Sequence, residues 1–228
     1  VLPETSTAIL GPTLENWKVH TKAITSVVSE QDSVSGCLLP GKHNAINAAM
    51  ALRCAAAITR SAVSDRMIHS VRSFHGLPHR LNRKVLGNGL VIVNDSKSTV
   101  PEATLLAVDA VAEQTPRSRI HLICGGSDKG SDLSLIAALH DQLAGIYTIG
   151  TTGKSLANGS NAHYCETLER AVEMAIKAVA PGDTILLSPG CASWDQFTNY
   201  EQRGERFVVL ATQLANERFK NTSCSHNS

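Results

Sequence analysis

Residues 90–102 run Leu90-Val91-Ile92-Val93-Asn94-Asp95-Ser96-Lys97-Ser98-Thr99-Val100-Pro101-Glu102. A short apolar run gives way to a polar tract, and a proline follows where the first turn of a helix accepts one. The spacing predicts a strand over Leu90–Val93, a loop, and a helix from Pro101 to about Glu113. Upstream, Leu81–Leu86 reads as a second strand, joined through Gly87-Asn88-Gly89 as a hairpin. Downstream, the strand–loop–helix grammar returns: strand Ile120–Cys124, helix Leu133–Leu139 and strand Ile146–Ile149. A helix carrying Leu168, Val172, Ala175, Ile176 and Val179 follows, then a Pro181-Gly182-Asp183 turn into strand Thr184–Leu187. Phe207, Val208, Ala211 and Leu214 mark a last helix. Strands alternating with helices imply an α/β fold with a mostly parallel sheet covered by helices on both faces.

Residues before this region read differently. Residues 1–40 have no strong period, with short β-like runs at Ala23–Ile24 and Val27–Val28. The segment Asn44–Ile58 is Ala-rich and helical by propensity. A second helix is expected to carry Val63, Met67, Val71 and Phe74, and Gly76-Leu77-Pro78 ends it. These changes place a domain boundary near residue 75.

The 228 residues allow one large or two modest domains. With 21 Lys+Arg against 20 Asp+Glu the net charge is +1, which gives nucleic acid or an acidic membrane surface no electrostatic hold. Charged residues make up 18 % without like-charge blocks, so the chain does not read as disordered. No run approaches the ~18 apolar residues of a membrane span. Six cysteines at 37, 54, 124, 165, 191 and 224 form no CxxC pair and are expected to be reduced and mostly buried in a cytoplasmic protein. The first residue is Val with no leader-like segment behind it, so the start reads as a cut end.

A parallel sheet would bring three polar loops to one edge: 94–99, Gly125-Gly126-Ser127-Asp128-Lys129-Gly130, and Ser188-Pro189-Gly190-Cys191-Ala192-Ser193. Ligands of such sheets bind beyond the carboxyl ends of the strands. Each loop precedes a helix, where free N–H groups attract anions. Lys97 and Lys129 add cations, and Thr99 and Ser193 add hydroxyls. Asp95 can accept from a ribose or an ammonium group. The set suits a small amino acid, a nucleotide or both. The competing expectation makes Asp95 and Ser193 helix caps and leaves the lysines solvated.

Other signals carry less. Gly150-Thr151-Thr152-Gly153-Lys154-Ser155 lacks the first glycine of a P-loop, since Thr148 stands there, and reads as a strand-to-helix turn. His75 and His79 are four apart, but Gly-Leu-Pro between them excludes the helix a zinc pair uses. Cys191 lacks a hydrolase context. Asn44 and Asn47 lie one helical turn apart and so share a face, where buried asparagines can read the edge of a base.

Taken in order, several tracts resemble Mur ligases: Gly41-Lys42-His43-Asn44 with Asn47, Gly76-Leu77-Pro78-His79-Arg80, the 94–99 tract, Gly125-Gly126-Ser127-Asp128-Lys129, and Leu187-Ser188-Pro189-Gly190-Cys191-Ala192-Ser193-Trp194-Asp195-Gln196-Phe197. The Asp-Ser-Lys and Ser-Pro-x-x-Ala-Ser-x-Asp-Gln-Phe tracts are similar to the branch that adds D-glutamate. The resemblance covers roughly residues 35–218. It implies a Rossmann-like carboxyl-terminal domain over 76–228, preceded over 1–75 by the helical tail of a central ATPase domain. It further implies joining of D-glutamate to UDP-N-acetylmuramoyl-L-alanine at the expense of ATP, by a cytoplasmic monomer making peptidoglycan precursors. Lys97, Thr99, Lys129, Ser193, Trp194 and Tyr200 match positions surrounding the amino acid. Asn44 and Asn47 match adenine-side positions, and Arg80 and Asp95 match phosphate and ribose positions. Magnesium ligands and the catalytic residues match no part of this chain and are expected upstream, so the chain by itself is expected to be inactive. Val100 and Trp194 depart from the family's usual Asn and Leu. A catalytically silent nucleotide- or anion-binding module and a relative such as folylpolyglutamate synthase are the competing expectations.

Overall fold

A computed structural model describes residues 6–14, 24–127 and 130–224. The chain divides into two compact units, 1–75 and 76–228, each described by itself.

In the first unit, strands β1 (Thr7–Leu10) and β2 (Ile24–Val27) pair in parallel. Helix α1 (Lys42–Thr59) is the Ala-rich segment, and Arg60 closes it in the left-handed conformation. Arg53 ties α1 to β2 by donating to Ser26 Oγ (2.8 Å) and the Val27 carbonyl (3.2 Å), and it also pairs with Asp32 (2.6 Å). Helix α2 (Asp65–Arg72) is shorter than the sequence pattern predicts, and Val63 and Phe74 lie outside it, both exposed. Local polar chemistry overrides the apolar period here. Ser64 caps the start by accepting from Met67 N–H (3.4 Å), and the Ser73 hydroxyl donates to the His69 carbonyl at the end (2.9 Å).

In the second unit, strands β3 (Asn82–Val85) and β4 (Val91–Asn94) form the antiparallel hairpin expected around residues 87–89. Helix α3 (Pro101–Ala112) follows, then β5 (Ile120–Gly125), a single turn α4 (Ser134–Ala137), and β6 (Gly145–Ile149). Next come α5 (Gly153–Leu156), β7 (Ala162–Glu166), α6 (Leu168–Ala178), β8 (Thr184–Leu187) and the long α7 (Tyr200–Cys224). The sheet order is β3-β4-β8-β5-β6-β7, parallel throughout except for β3. Leu133–Leu139 is helical only at its centre. The Thr148–Ser155 segment is a turn into α5 rather than a phosphate loop, as expected.

Alternation along the buried strands sends Ile92, Ile123, Ile185 and Leu187 to one face, against α6 and α7. Val93, Leu122, Cys124 and Leu186 go to the other, against α3, α4 and α5. Each fully buried Leu, Ile or Phe contributes about 1.5–3 kcal/mol of transfer free energy, so both faces must be covered for the sheet to persist. Cys124, Cys165 and Cys191 are buried, and the five described cysteines are free thiols. Burial pushes the Cys165 thiol up to about 11 and Cys124 higher still, which makes both inert at neutral pH. No helix among the described residues is long and apolar enough to cross a membrane.

Candidate functional site

Register places the loops. Asn94 of β4 stands opposite Leu187 of β8, which stands opposite Ile123 of β5, so the three loops leave adjacent strands at one level of one sheet edge. Main-chain bonds then knit them together. Gly125 N–H donates to the Pro189 carbonyl (2.8 Å), Ser127 N–H to the Ala192 carbonyl (2.9 Å), and Gly190 N–H to the Ser98 carbonyl (3.0 Å).

These bonds correct one expectation. The first three residues of the glycine loop after β5 do not present free N–H groups to an anion. Gly125, Gly126 and Ser127 all spend theirs internally, Gly126 on Thr152 Oγ1 (3.0 Å). The next helix begins only at Ser134. Gly126 instead serves close approach. Its φ is +146°, and a Cβ there would lie 2.2 Å from the Ala192 carbonyl oxygen.

Asp95 occupies the centre of the edge and is 4 % exposed. Its carboxylate accepts from Leu81 N–H (3.0 Å), Ser188 Oγ (2.9 Å) and Ser98 Oγ. Burial pushes its carboxyl above the usual carboxylate range, while bonds from Ser98, Leu81 and Ser188 and the charge of Arg80 pull it back. The carboxylate is therefore committed to joining β3, β4 and β8 loops. It also anchors Leu81, which, like His79, sits at positive φ (46° and 61°) on either side of exposed Arg80. Such backbone persists only where surrounding bonds hold it.

The residues expected to meet an amino acid lie at the same edge. Lys97 is exposed, with Nζ 2.8 Å from Tyr200 Oη and 4.2 Å above its ring centroid. Thr99 is half-buried. Ser193 is buried at 2 % exposure, and its carbonyl accepts from Gln196 and Phe197. Trp194 beside it is 68 % exposed. Lys129 lies outside the described residues. In the first unit, Asn44 and Asn47 share the amino-terminal half of α1. The Asn44 amide donates to the Pro40 carbonyl (2.6 Å), and Asn47 is exposed. Among the described residues no three metal-ligating side chains gather.

Sequence reasoning missed several residues that hold the edge in place. Arg203 is fully buried and donates to both the β4 and β8 loops. Its signal was its spacing: Arg203, Phe207, Ala211 and Ala215 fall four apart on the buried stripe of α7, each 0 % exposed. Asn94 donates to the Gly204 carbonyl of α7 (3.0 Å) and accepts from Ser96 N–H (3.1 Å). Asp195 accepts from Thr151 N–H (3.0 Å), which links the β8 loop to the loop after β6.

Comparison with known proteins agrees with this architecture. Residues 79–191 match the model of the Mur ligase glutamate ligase domain. A UDP-N-acetylmuramoylalanine–D-glutamate ligase of Haemophilus ducreyi is 41 % identical over 181 residues, covering 77 % of this chain and 40 % of that protein. The enzyme of the same name from Lachnospira eligens is 38 % identical over 185 residues, covering 77 % and 39 %. The chain thus spans about 40 % of the length of the curated relatives it matches. Two solved structures share the fold. MurF of Acinetobacter baumannii has a TM-score of 0.71 at 16 % identity, over 93 % of this chain and 52 % of that one. Folylpolyglutamate synthase of Mycobacterium tuberculosis, complexed with ADP, has a TM-score of 0.67 at 15 % identity, over 90 % and 55 %. Through its glutamate ligase domain, the chain belongs to the Mur ligase family.

Proposed function

We propose that this chain is the carboxyl-terminal portion of a cytoplasmic, monomeric, ATP-dependent ligase that joins D-glutamate to UDP-N-acetylmuramoyl-L-alanine. On this reading residues 76–228 are the amino-acid-binding domain, and residues 1–75 are the end of the central ATP-binding domain. One observation carries it: the 94–99 and 188–193 loops leave neighbouring strands in register, which gathers an exposed ammonium (Lys97) and hydroxyls (Thr99, Ser193) at one edge. Curated relatives named for D-glutamate ligation support the choice of amino acid.

The chemistry follows from the donor set. D-Glutamate brings two carboxylates and an amine that must stay free to attack an activated carboxylate. Lys97, braced by Tyr200, and Lys129 answer one carboxylate each, and Thr99 and Ser193 donate hydroxyl hydrogens beside them. Trp194 forms the apolar rim. None of these groups removes a proton or forms a bond to phosphate. Their part is to fix the amine's position, and a well-oriented attack lowers a bimolecular barrier by several kcal/mol, up to roughly 7–11. Asn44, Asn47 and Arg80 are assigned to the nucleotide. Asp95 acts on that side through Leu81, whose N–H its carboxylate holds next to Arg80, rather than by touching the ribose. No step is assigned to magnesium.

The test is product formation by the full-length gene product given ATP, UDP-N-acetylmuramoyl-L-alanine and one amino acid at a time. D-Glutamate should support ADP release and a new peptide bond, and L-glutamate should not. Turnover with L-glutamate or meso-diaminopimelate would reassign the chain to another ligase. Nucleotide binding without turnover under any of these amino acids would make it a silent module.

A further inference from the structure

Between α7 and the start of β3 the second unit holds a cavity of about 410 Å³. Pro78, Val208 and Val209 give it apolar walls, and His79, Asn82 and Glu205 bring polar groups to it. No residue assigned above to the amino acid or the nucleotide lines it. Its size and its mix of apolar wall and few polar groups are those of a small-molecule pocket.

Bonding fixes how His79 presents itself. Asn94, which also lines the cavity, donates its amide hydrogen to the Gly204 carbonyl (3.0 Å) and accepts from Ser96 N–H (3.1 Å), so this amide has one orientation. Its nitrogen lies 3.1 Å from His79 Nδ1, which therefore accepts. An imidazole that accepts at Nδ1 carries its proton on Nε2. A Cβ on Gly204 would collide with Nδ1, so glycine is what lets α7 pass this close to the ring. Among the described residues Nε2 of His79 and the Asn82 amide have no hydrogen-bond partner, and the Glu205 carboxylate has no ion pair. Two cations of the same elements are engaged elsewhere: Arg206 with Glu169 (2.8 Å), and Lys84 with Thr212 Oγ1 (3.3 Å). The cavity thus offers one carboxylate acceptor, one imidazole N–H donor and one amide beside an aliphatic wall.

We propose that this cavity is a second small-molecule site, distinct from the amino-acid edge, and that it takes an aliphatic α-amino amide or amino alcohol. The ligand's ammonium meets Glu205, its neutral carbonyl or hydroxyl oxygen accepts from His79 Nε2–H, and its alkyl group covers Pro78, Val208 and Val209. A carboxylate in place of the neutral oxygen would share the cavity with Glu205 and be repelled. The ligand would also rest on a residue tied to the sheet edge, because the His79 carbonyl accepts from Lys97 N–H (3.1 Å). The inference does not depend on which amino acid that edge receives.

The experiment titrates the full-length gene product with L-leucinamide, followed by ligand-observed NMR, with N-acetyl-L-leucinamide as the uncharged comparison. A ligand of this size is expected to bind with a Kd on the order of 1 mM. The acetylated compound, which has no ammonium for Glu205, should bind at least about threefold more weakly. Glu205→Gln should weaken leucinamide by at least about threefold as well, because the carboxylate is exposed and its ion pair modest. Val209→Lys should weaken it further, by placing a second ammonium at the wall. Both substitutions fall on exposed positions of α7, so thermal melts should be unchanged. Excess D-glutamate should leave leucinamide bound. The proposal is overturned by an absence of binding up to about 10 mM, by equal binding of the acetylated compound, or by unchanged affinity in either folded variant. Displacement by D-glutamate overturns it too, since the cavity would then belong to the amino-acid edge.

Discussion

Replacing Asp95 with alanine should cost the second unit more stability than any other single truncation at the sheet edge. The carboxylate is 4 % exposed and accepts from Leu81 N–H, Ser98 Oγ and Ser188 Oγ. Ser188 can turn its hydroxyl to Thr104 Oγ1, 3.4 Å away, so that donor is partly recovered. Leu81 N–H cannot turn and is left in a buried residue without an acceptor, which costs about 1–3 kcal/mol. Leu81 is also held at φ +46°, and losing its anchor releases that segment. Against this, the variant no longer buries a carboxylate. The net expectation is a loss of about 3 kcal/mol, and with an m-value of about 2 kcal/mol/M the urea midpoint falls by about 1.5 M. Of the two tryptophans, Trp17 lies in the first unit and Trp194 in the second. A Trp17→Phe background therefore lets fluorescence follow the second unit. Asparagine keeps one acceptor oxygen and has no charge to desolvate, so Asp95→Asn should lose less than half as much. A shift below about 0.3 M for alanine, or an asparagine variant no better than alanine, would refute the account of Asp95 as the bond that joins the loops.

Three further outcomes follow from the same geometry. Gly126→Ala places a methyl 2.2 Å from the Ala192 carbonyl at φ +146°, so it should lower stability by about 2–4 kcal/mol in thermal melts; an unchanged melt would show that the loops are not packed as described. His121 lies buried between Tyr147 Oη and Asp183 (both 3.1 Å), and burial holds its pKa below the ordinary value, with Asp183 opposing. The unfolded chain therefore takes up this proton first as pH falls through about 6.5, and stability should decline from there downward, a slope that His121→Asn flattens in denaturant titrations between pH 7 and 5. Tyr200→Phe removes the 2.8 Å bond to Lys97 but keeps the ring beneath it, so stability should change by less than about 1 kcal/mol while KM for D-glutamate rises.

Most of the sheet was legible because its buried strands are continuous apolar runs and its loops carry distinctive polar tracts. Strand β7 was not, since Ala162–Glu166 lies at the sheet edge with Cys165 its only buried member and shows no alternation of apolar residues. The second helix was read too long because Ser64 and Ser73 stop it, and the weight of a cap is invisible in a periodic pattern. At the site, residue types near strand ends identified which loops converge but not how their groups are spent. Asp95 reads as an exposed acceptor until its donors beside β3 and β8, Leu81 and Ser188, are seen, and the start of the glycine loop reads as an anion cradle until the N–H groups of Gly125, Ser127 and Gly126 are traced to Pro189, Ala192 and Thr152. Those partners lie tens of residues away, which local sequence cannot report. Arg203 was hidden differently: its position on the buried stripe of α7 was readable, but an arginine there is ordinarily assigned to solvent.

The central claim is that Lys97 and Ser193, brought together by neighbouring strands, hold the amino acid substrate. Steady-state kinetics of the full-length gene product carrying Lys97→Ala and Ser193→Ala together test it most directly. The account predicts that KM for D-glutamate rises at least about tenfold while KM for ATP stays within about twofold, since each lost charge-assisted bond is worth roughly 1.5–3 kcal/mol. Turnover with an unchanged KM for D-glutamate would contradict it.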